Sequence, residues 1–185
     1  MVMNNNNNNP NIEDIHFKGD ELLSKSVNKL LDDIMNEYMD DPETMMRKAG
    51  ALTGINIVLA GIWVLLSSHC FNIVSEWTMF ESGDPEHNGA MVFSKIFADD
   101  PTSHDKICLL YIPECCEINI GIYNNHCFEI SFDEDENRIV IIQADSYDDN
   151  DVSIKEHKYY GIIEKAVNDA IDHVKTGKPI EEYLK

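Results

Sequence analysis

Apolar residues recur at steps of three and four between Asp20 and Met39, where Leu23, Val27, Leu30, Leu31, Ile34 and Tyr38 share one stripe. That period predicts an amphipathic helix with one buried side. Asp20, following Gly19, is placed to cap it. Asp40-Asp41-Pro42-Glu43 then stops this helix and starts another, because proline suits a first helical turn and acids suit the positive end of the helix dipole. The second helix is predicted from about Pro42 to about Ser68. Its centre, Ala51 to Leu66, reads ALTGINIVLAGIWVLL, and no residue from Ala49 to Ser75 carries a full charge.

The period then changes. Phe71 to Phe80 mixes β-branched and aromatic residues and predicts a strand. The string SGDPEHNG at 82–89 predicts a loop, and Ala90 to Ala98 a short helix ended by Asp99-Asp100-Pro101. Four further strands are expected at Ile107–Ile112, Glu117–Tyr123, His126–Phe132 and Arg138–Ala144. Ile118, Ile120 and Ile122 alternate onto one face, and Asn124-Asn125 suits a tight hairpin turn. Glu156 to Lys175 returns to helical spacing, with Tyr160, Ile163, Val167, Ile171 and Val174 on one stripe, closed by Gly177-Lys178-Pro179 and followed by a short tail. The expected fold is α+β: an N-terminal helical hairpin and a C-terminal helix packed on an antiparallel β-meander of about four to five strands. Residues 1–19, with the run Asn4 to Asn9, are expected to be a disordered Asn-rich tail, and 20–185 a single domain.

Composition narrows the partners. The 185 residues are 43% hydrophobic, enough for a sizeable core. Acidic residues number 34 against 14 basic ones, for a formal charge of −20. This argues against nucleic acid, whose binding draws on clustered Lys and Arg, and against an anionic membrane surface. Of the five cysteines two are adjacent, and the odd count does not suit a disulfide framework, so a reducing, cytoplasmic setting is expected. The first residues lack the basic and apolar regions of a secretory signal.

The apolar run at 49–68 has two readings. Its length approaches the roughly 20 residues of a membrane span, Gly50 and Gly54 form a GxxxG pair, and Arg47-Lys48 precede it. A single-span membrane protein with a soluble β-containing domain is therefore an alternative. Thr53, Asn56 and three glycines interrupt the run, however, and Ser67-Ser68-His69 supplies no basic or aromatic anchor. A buried core helix is the preferred reading, with Gly50, Gly54 and Gly61 allowing close approach of the sheet or another helix.

Motifs for chemistry are sparse. There is no P-loop, no GxGxxG after a strand and no HExxH. Cys115-Cys116 lacks the spacing of a zinc site. A calcium loop starting at Asp145 would have Glu156 at its twelfth place but Asn150 where glycine is needed. No cofactor or metal is expected. Cys70, beside His69 and with His126 and Glu129 later in the chain, offers a Cys/His-dependent hydrolase as a second alternative. Its helix-then-sheet order is similar to that of papain-like enzymes, but Cys70 follows a helix C-terminus, where the dipole does not favour a thiolate.

The clearest functional signal is acidity. Asp133, Glu134, Asp135, Glu136, Asp145, Asp148, Asp149 and Asp151 crowd two loops around a single Arg138, with Tyr147 among them. Like charges repel, so such a set suits a cationic partner, steering it and anchoring it on the tyrosine. The expected function is a small acidic protein-binding module for a basic protein. By charge and size it is similar to immunity-type inhibitors that neutralise a basic toxin or nuclease.

Overall fold

The helical hairpin turns at Asp41-Pro42. In the computed structural model, which describes residues 12–69, 72–73, 77–100, 102–122, 125–133, 136–143 and 153–184, α1 spans Ile12–Glu37 and α2 spans Pro42–Ser68. The Asp41 side chain accepts the Thr44 backbone N–H at 3.2 Å, closing one of the open donors of the first turn. The first helix starts at Ile12 rather than Asp20, while the second has the bounds its composition implies. Leu23, Val27, Leu30, Leu31 and Ile34 of α1 pack against the core.

α2 is the centre of that core. Leu52, Ile55, Val58, Leu59, Ile62, Leu65 and Leu66 are buried. It is the one helix among the described residues long and apolar enough to cross a membrane, and half of that stretch is buried within this fold. The polar residues that interrupt it bond to the helix's own carbonyls: Thr53 to Ala49 at 2.7 Å and Asn56 to Leu52 at 2.8 Å. Of the three small residues expected at close approaches, only Gly61 serves as one, since a Cβ there would stand 3.1 Å from the Cβ of Ala170; Gly50 and Gly54 face open space.

The sheet is a sequential antiparallel meander. β1 (Asn72–Ile73) and β2 (Thr78–Glu81) lie along the same edge of β3 (Met91–Ala98). β4 (Ile107–Ile112), β5 (Glu117–Ile122), β6 (Asn125–Asp133) and β7 (Arg138–Gln143) follow in order, so seven segments fill six positions. This is longer than the four to five strands expected, and the expected strand at 71–80 is two short segments.

The added central strand comes from Ala90–Ala98, which is β3 and not a short helix. Phe93, Lys95 and Phe97 alternate toward the helices while Val92, Ser94 and Ile96 face the other way. Lys95 in the buried set hides that alternation in the sequence: it is 0% exposed, its ammonium 4.0 Å from the centre of the Trp63 ring. The helix-facing layer continues through Leu109, Tyr111, Ile118, Ile120, Phe128 and Ile130.

The chain closes with a 3-10 turn at Ile154–Glu156 and α3 (Tyr160–Thr176), which lies against α2 and buries Ile163, Val167 and Ile171. The helix was expected from Glu156, but the 3-10 turn takes that residue and a turn takes 157–159, so α3 starts at Tyr160. Gly177 ends it at φ 69, a left-handed conformation that suits glycine. A further 3-10 helix follows at Ile180–Leu184, whose Tyr183 hydroxyl donates to Asp172 at 2.5 Å.

Candidate functional site

Three helices cover one face of the sheet, and the other face carries the site. Alternation puts Val92 of β3, Cys108 and Leu110 of β4, Glu117 and Asn119 of β5 and Glu129 of β6 on that open face. The loop between β2 and β3 folds over it. This loop is self-supporting: Ser82 N–H donates to the Ala90 carbonyl at 2.8 Å, Ala90 N–H to His87 at 2.9 Å, and Glu86 N–H to the Asp84 carboxylate at 2.9 Å. Ala90 packs with Val92, Ile112 and Leu110 as a small second core beneath it.

A cleft of about 610 Å³ opens between this loop and strands β4–β6. Its polar walls are Asp84, Glu86, Glu117 and Glu129 with His87 and His126, and no lysine or arginine lines it among the described residues. His87 ties the loop to the sheet. Its Nε2 lies 3.1 Å from Glu117 Oε2, and its Nδ1 lies 4.0 Å from Asp84. Glu117 is only 9% exposed, and its second oxygen accepts the Asn119 amide N–H at 2.5 Å. That leaves the Asn119 carbonyl oxygen, buried and without a hydrogen-bond donor. An orphaned buried acceptor is costly and calls for a donor.

The floor depends on Gly121. The β5–β6 register shifts between Ile120 and Gly121, bringing the Asn125 carbonyl oxygen within 2.5 Å of where a Cβ would sit. Only glycine admits this approach.

The thiols in and near the cleft are not activated. Burial pushes the thiols of Cys108, Cys115 and Cys127 up, Cys127 to about 11, with Glu117 and Glu114 adding to the effect at Cys115. None of these three is poised as a thiolate. His126 and Glu129 do share the cleft, as a Cys/His hydrolase would need, but His126 Nε2 lies 3.2 Å from the Phe128 carbonyl, and Cys70 lies outside the described residues. Among the described residues no group of three or more His, Cys, Asp or Glu could hold a metal ion.

Of the partner-binding residues picked out in the sequence, Asp133 and Glu136 are described; the acids Glu134, Asp135, Asp145, Asp148, Asp149 and Asp151 and the aromatic Tyr147 lie outside the described residues. Asp133 accepts the Glu136 backbone N–H at 3.0 Å, and Glu136 pairs with Arg138 at 2.5 Å. The two acidic stretches join opposite ends of β7, at Arg138 and Gln143, so their points of attachment stand about 17 Å apart. The cleft residues Asp84, Glu86, Glu117 and Asn119 escaped the sequence reading. They come from separate segments, and the one available signal was the alternation of Glu117 and Asn119 with the buried isoleucines of β5. Comparison with protein-family models, curated proteins and solved structures found no match to this chain.

Proposed function

We propose that this protein is a non-enzymatic acidic binding module whose open-face cleft receives a cationic side chain of a basic protein partner. The observation that carries this reading is the cleft wall: carboxylates from Asp84, Glu86, Glu117 and Glu129 line the same cleft as Asn119, whose side-chain oxygen lacks a donor. A lysine or arginine side chain supplies both a positive charge and hydrogen-bond donors and has no acceptor to waste. The net charge of −20 would speed its approach at low salt. The acids of 133–136 and 145–151 then act as a second, peripheral attraction. A basic toxin or nuclease neutralised by an immunity-type inhibitor is the partner class that this charge and size favour. The free thiols of Cys108, Cys115, Cys116 and Cys127 support a reducing, cytoplasmic setting.

The test is calorimetric titration with a hexa-arginine peptide at low salt. Glu129→Gln in the cleft and Glu181→Gln in the exposed C-terminal 3-10 helix change the net charge equally. The cleft variant should lose several-fold in affinity and the remote one almost nothing. Equal losses would reduce the effect to overall charge and sink the proposed site. Charge reversal at Asp135, Asp148 and Asp149 should slow association at low salt and matter less at high salt.

A further inference from the structure

β7 ends the sheet. Its register with β6 runs without a shift from Arg138 opposite Asp133 to Gln143 opposite Phe128, and among the described residues nothing pairs with its other edge. In an antiparallel ladder alternate residues aim their backbone N–H and C=O at one neighbour, so half of the β7 backbone groups point outward. Such edges are ordinarily blunted by proline, lysine or a bulge. β7 has none of these. Between Arg138 and Gln143 stand Ile139, Val140, Ile141 and Ile142, all β-branched, with Ile141 38% and Ile142 51% exposed. The opposite edge of the sheet is broken into β1 and β2, of two and four residues.

The two flanks of the β7 edge differ. Register sets Ile141 in one row with Ile130 and Ile118 on the helix side, and Ile142 in one row with Glu129 and Asn119 on the open side. Glu129 thus lies one strand in from the edge, and Glu136 stands at its Arg138 end, paired with that arginine. On the helix side Glu164 of α3 accepts from the Gln143 amide at 3.4 Å. Acids therefore bracket a strand edge whose own centre is apolar and uncharged.

We infer that an extended segment of a basic partner adds to β7 as a further strand, with apolar side chains toward the helix side and cationic ones toward the open side. Backbone hydrogen bonds then supply the adhesion and side-chain alternation the selection. The apolar side chains continue the layer of Ile139 and Ile141. The cationic ones stand two strands, about 10 Å, from β6. A lysine or arginine side chain and the Glu129 side chain bridge that span together. A second copy of this chain is the poorer occupant, because it would bring one body of charge −20 against another. The inference rests on the reading of the chain as a binder of a basic protein, and it adds a contact held by backbone in place of charge alone.

The test sets the peptide Lys-Val-Lys-Val-Lys-Val-Lys-Val against the same peptide methylated at every backbone nitrogen, which keeps the charge and removes the donors. In calorimetric titration of the full-length protein the plain peptide should bind about tenfold more tightly or better. It should also slow hydrogen exchange at alternate amides of residues 138–143. Equal affinity of the two peptides, or unchanged exchange along 138–143, would overturn strand addition. Ile142→Lys and Glu181→Gln change the net charge equally, and both positions are exposed. The first sets a cation on the edge and should weaken the plain peptide several-fold, the second almost nothing; equal weakening would overturn the site. A dimer of the protein alone in sedimentation velocity, dissolved by Ile142→Lys, would assign the edge to a second copy and overturn the basic occupant. Failure of the cleft reading shows elsewhere, in the hexa-arginine comparison of Glu129→Gln with Glu181→Gln, which does not involve backbone methylation.

Discussion

At Gly121 the exchange of one hydrogen for a methyl group tests the floor of the cleft. A Cβ there meets a backbone oxygen, which cannot swing aside as a side chain would. Gly121→Ala should therefore cost about 2 kcal/mol or more, visible as a lowered urea midpoint. The thiols offer a second residue-scale prediction. With its pKa pushed up to about 11 by burial, Cys127 should resist iodoacetamide at mildly alkaline pH until the protein unfolds, whereas the exposed Cys115 should react first. Mass spectrometry of partly labelled protein would show the order; Cys127 labelled as early as Cys115 would contradict it. Lys95 shows why a single residue can mislead. A charged side chain at a core-facing strand position breaks the hydrophobic alternation, and the two indole faces beside it, one from α2 and one from the residue before β2, are not visible in local sequence.

Elements were legible where their periodicity was long and clean. The α2 bounds and the alternating isoleucines of β5 follow directly from pattern, whereas β3 needed its neighbours on both sides to be seen as a strand. The glycines of α2 separate helix propensity from packing. Gly54→Ala faces open space and should stabilise by about 0.5–1 kcal/mol through helix propensity alone. At Gly61 the same change meets Ala170 and should yield less, and Gly61→Leu should force α2 and α3 apart at a cost of about 2–3 kcal/mol. Urea denaturation of the three variants would rank them, and a stabilising Gly61→Leu would refute the close crossing. The junction of β3 and α3 carries a pH dependence. The Tyr159 hydroxyl donates to Asp99, with Lys158 close by at 3.4 Å, and this holds the Asp99 carboxyl below its ordinary 3.8. A carboxyl lowered in the folded state stabilises fully above its unfolded value and loses that contribution as pH falls through its folded one. Asp99→Asn should thus be less stable than the parent at neutral pH, and the gap should close as the pH falls below that ordinary value and through the lowered one.

The molecule as a whole assembles its open-face cleft where no single segment could reveal it. The cleft joins a loop after β2 to side chains of β4, β5 and β6, and its carboxylates converge only because a meander lays those strands side by side. The acidic loops drew attention in the sequence because their charges are contiguous; the cleft acids are dispersed along the chain and gathered by register. Both sets nonetheless belong to one electrostatic body with a charge of −20, and that body predicts two responses of opposite sign to the same variable. In the free protein, like charges repel and oppose the compact state, so added sodium chloride should raise the melting temperature as it shortens the range of repulsion. In the complex with a basic partner, the same screening removes attraction, so affinity should fall across the same salt range, mostly through slower association. Differential scanning fluorimetry and stopped-flow binding to hexa-arginine in matched buffers would place the two curves together. A melting temperature that falls with salt would mean that local ion pairs outweigh the global repulsion. An affinity indifferent to salt would mean that the partner is held by the apolar floor of Val92 and Leu110, not by the carboxylates around it.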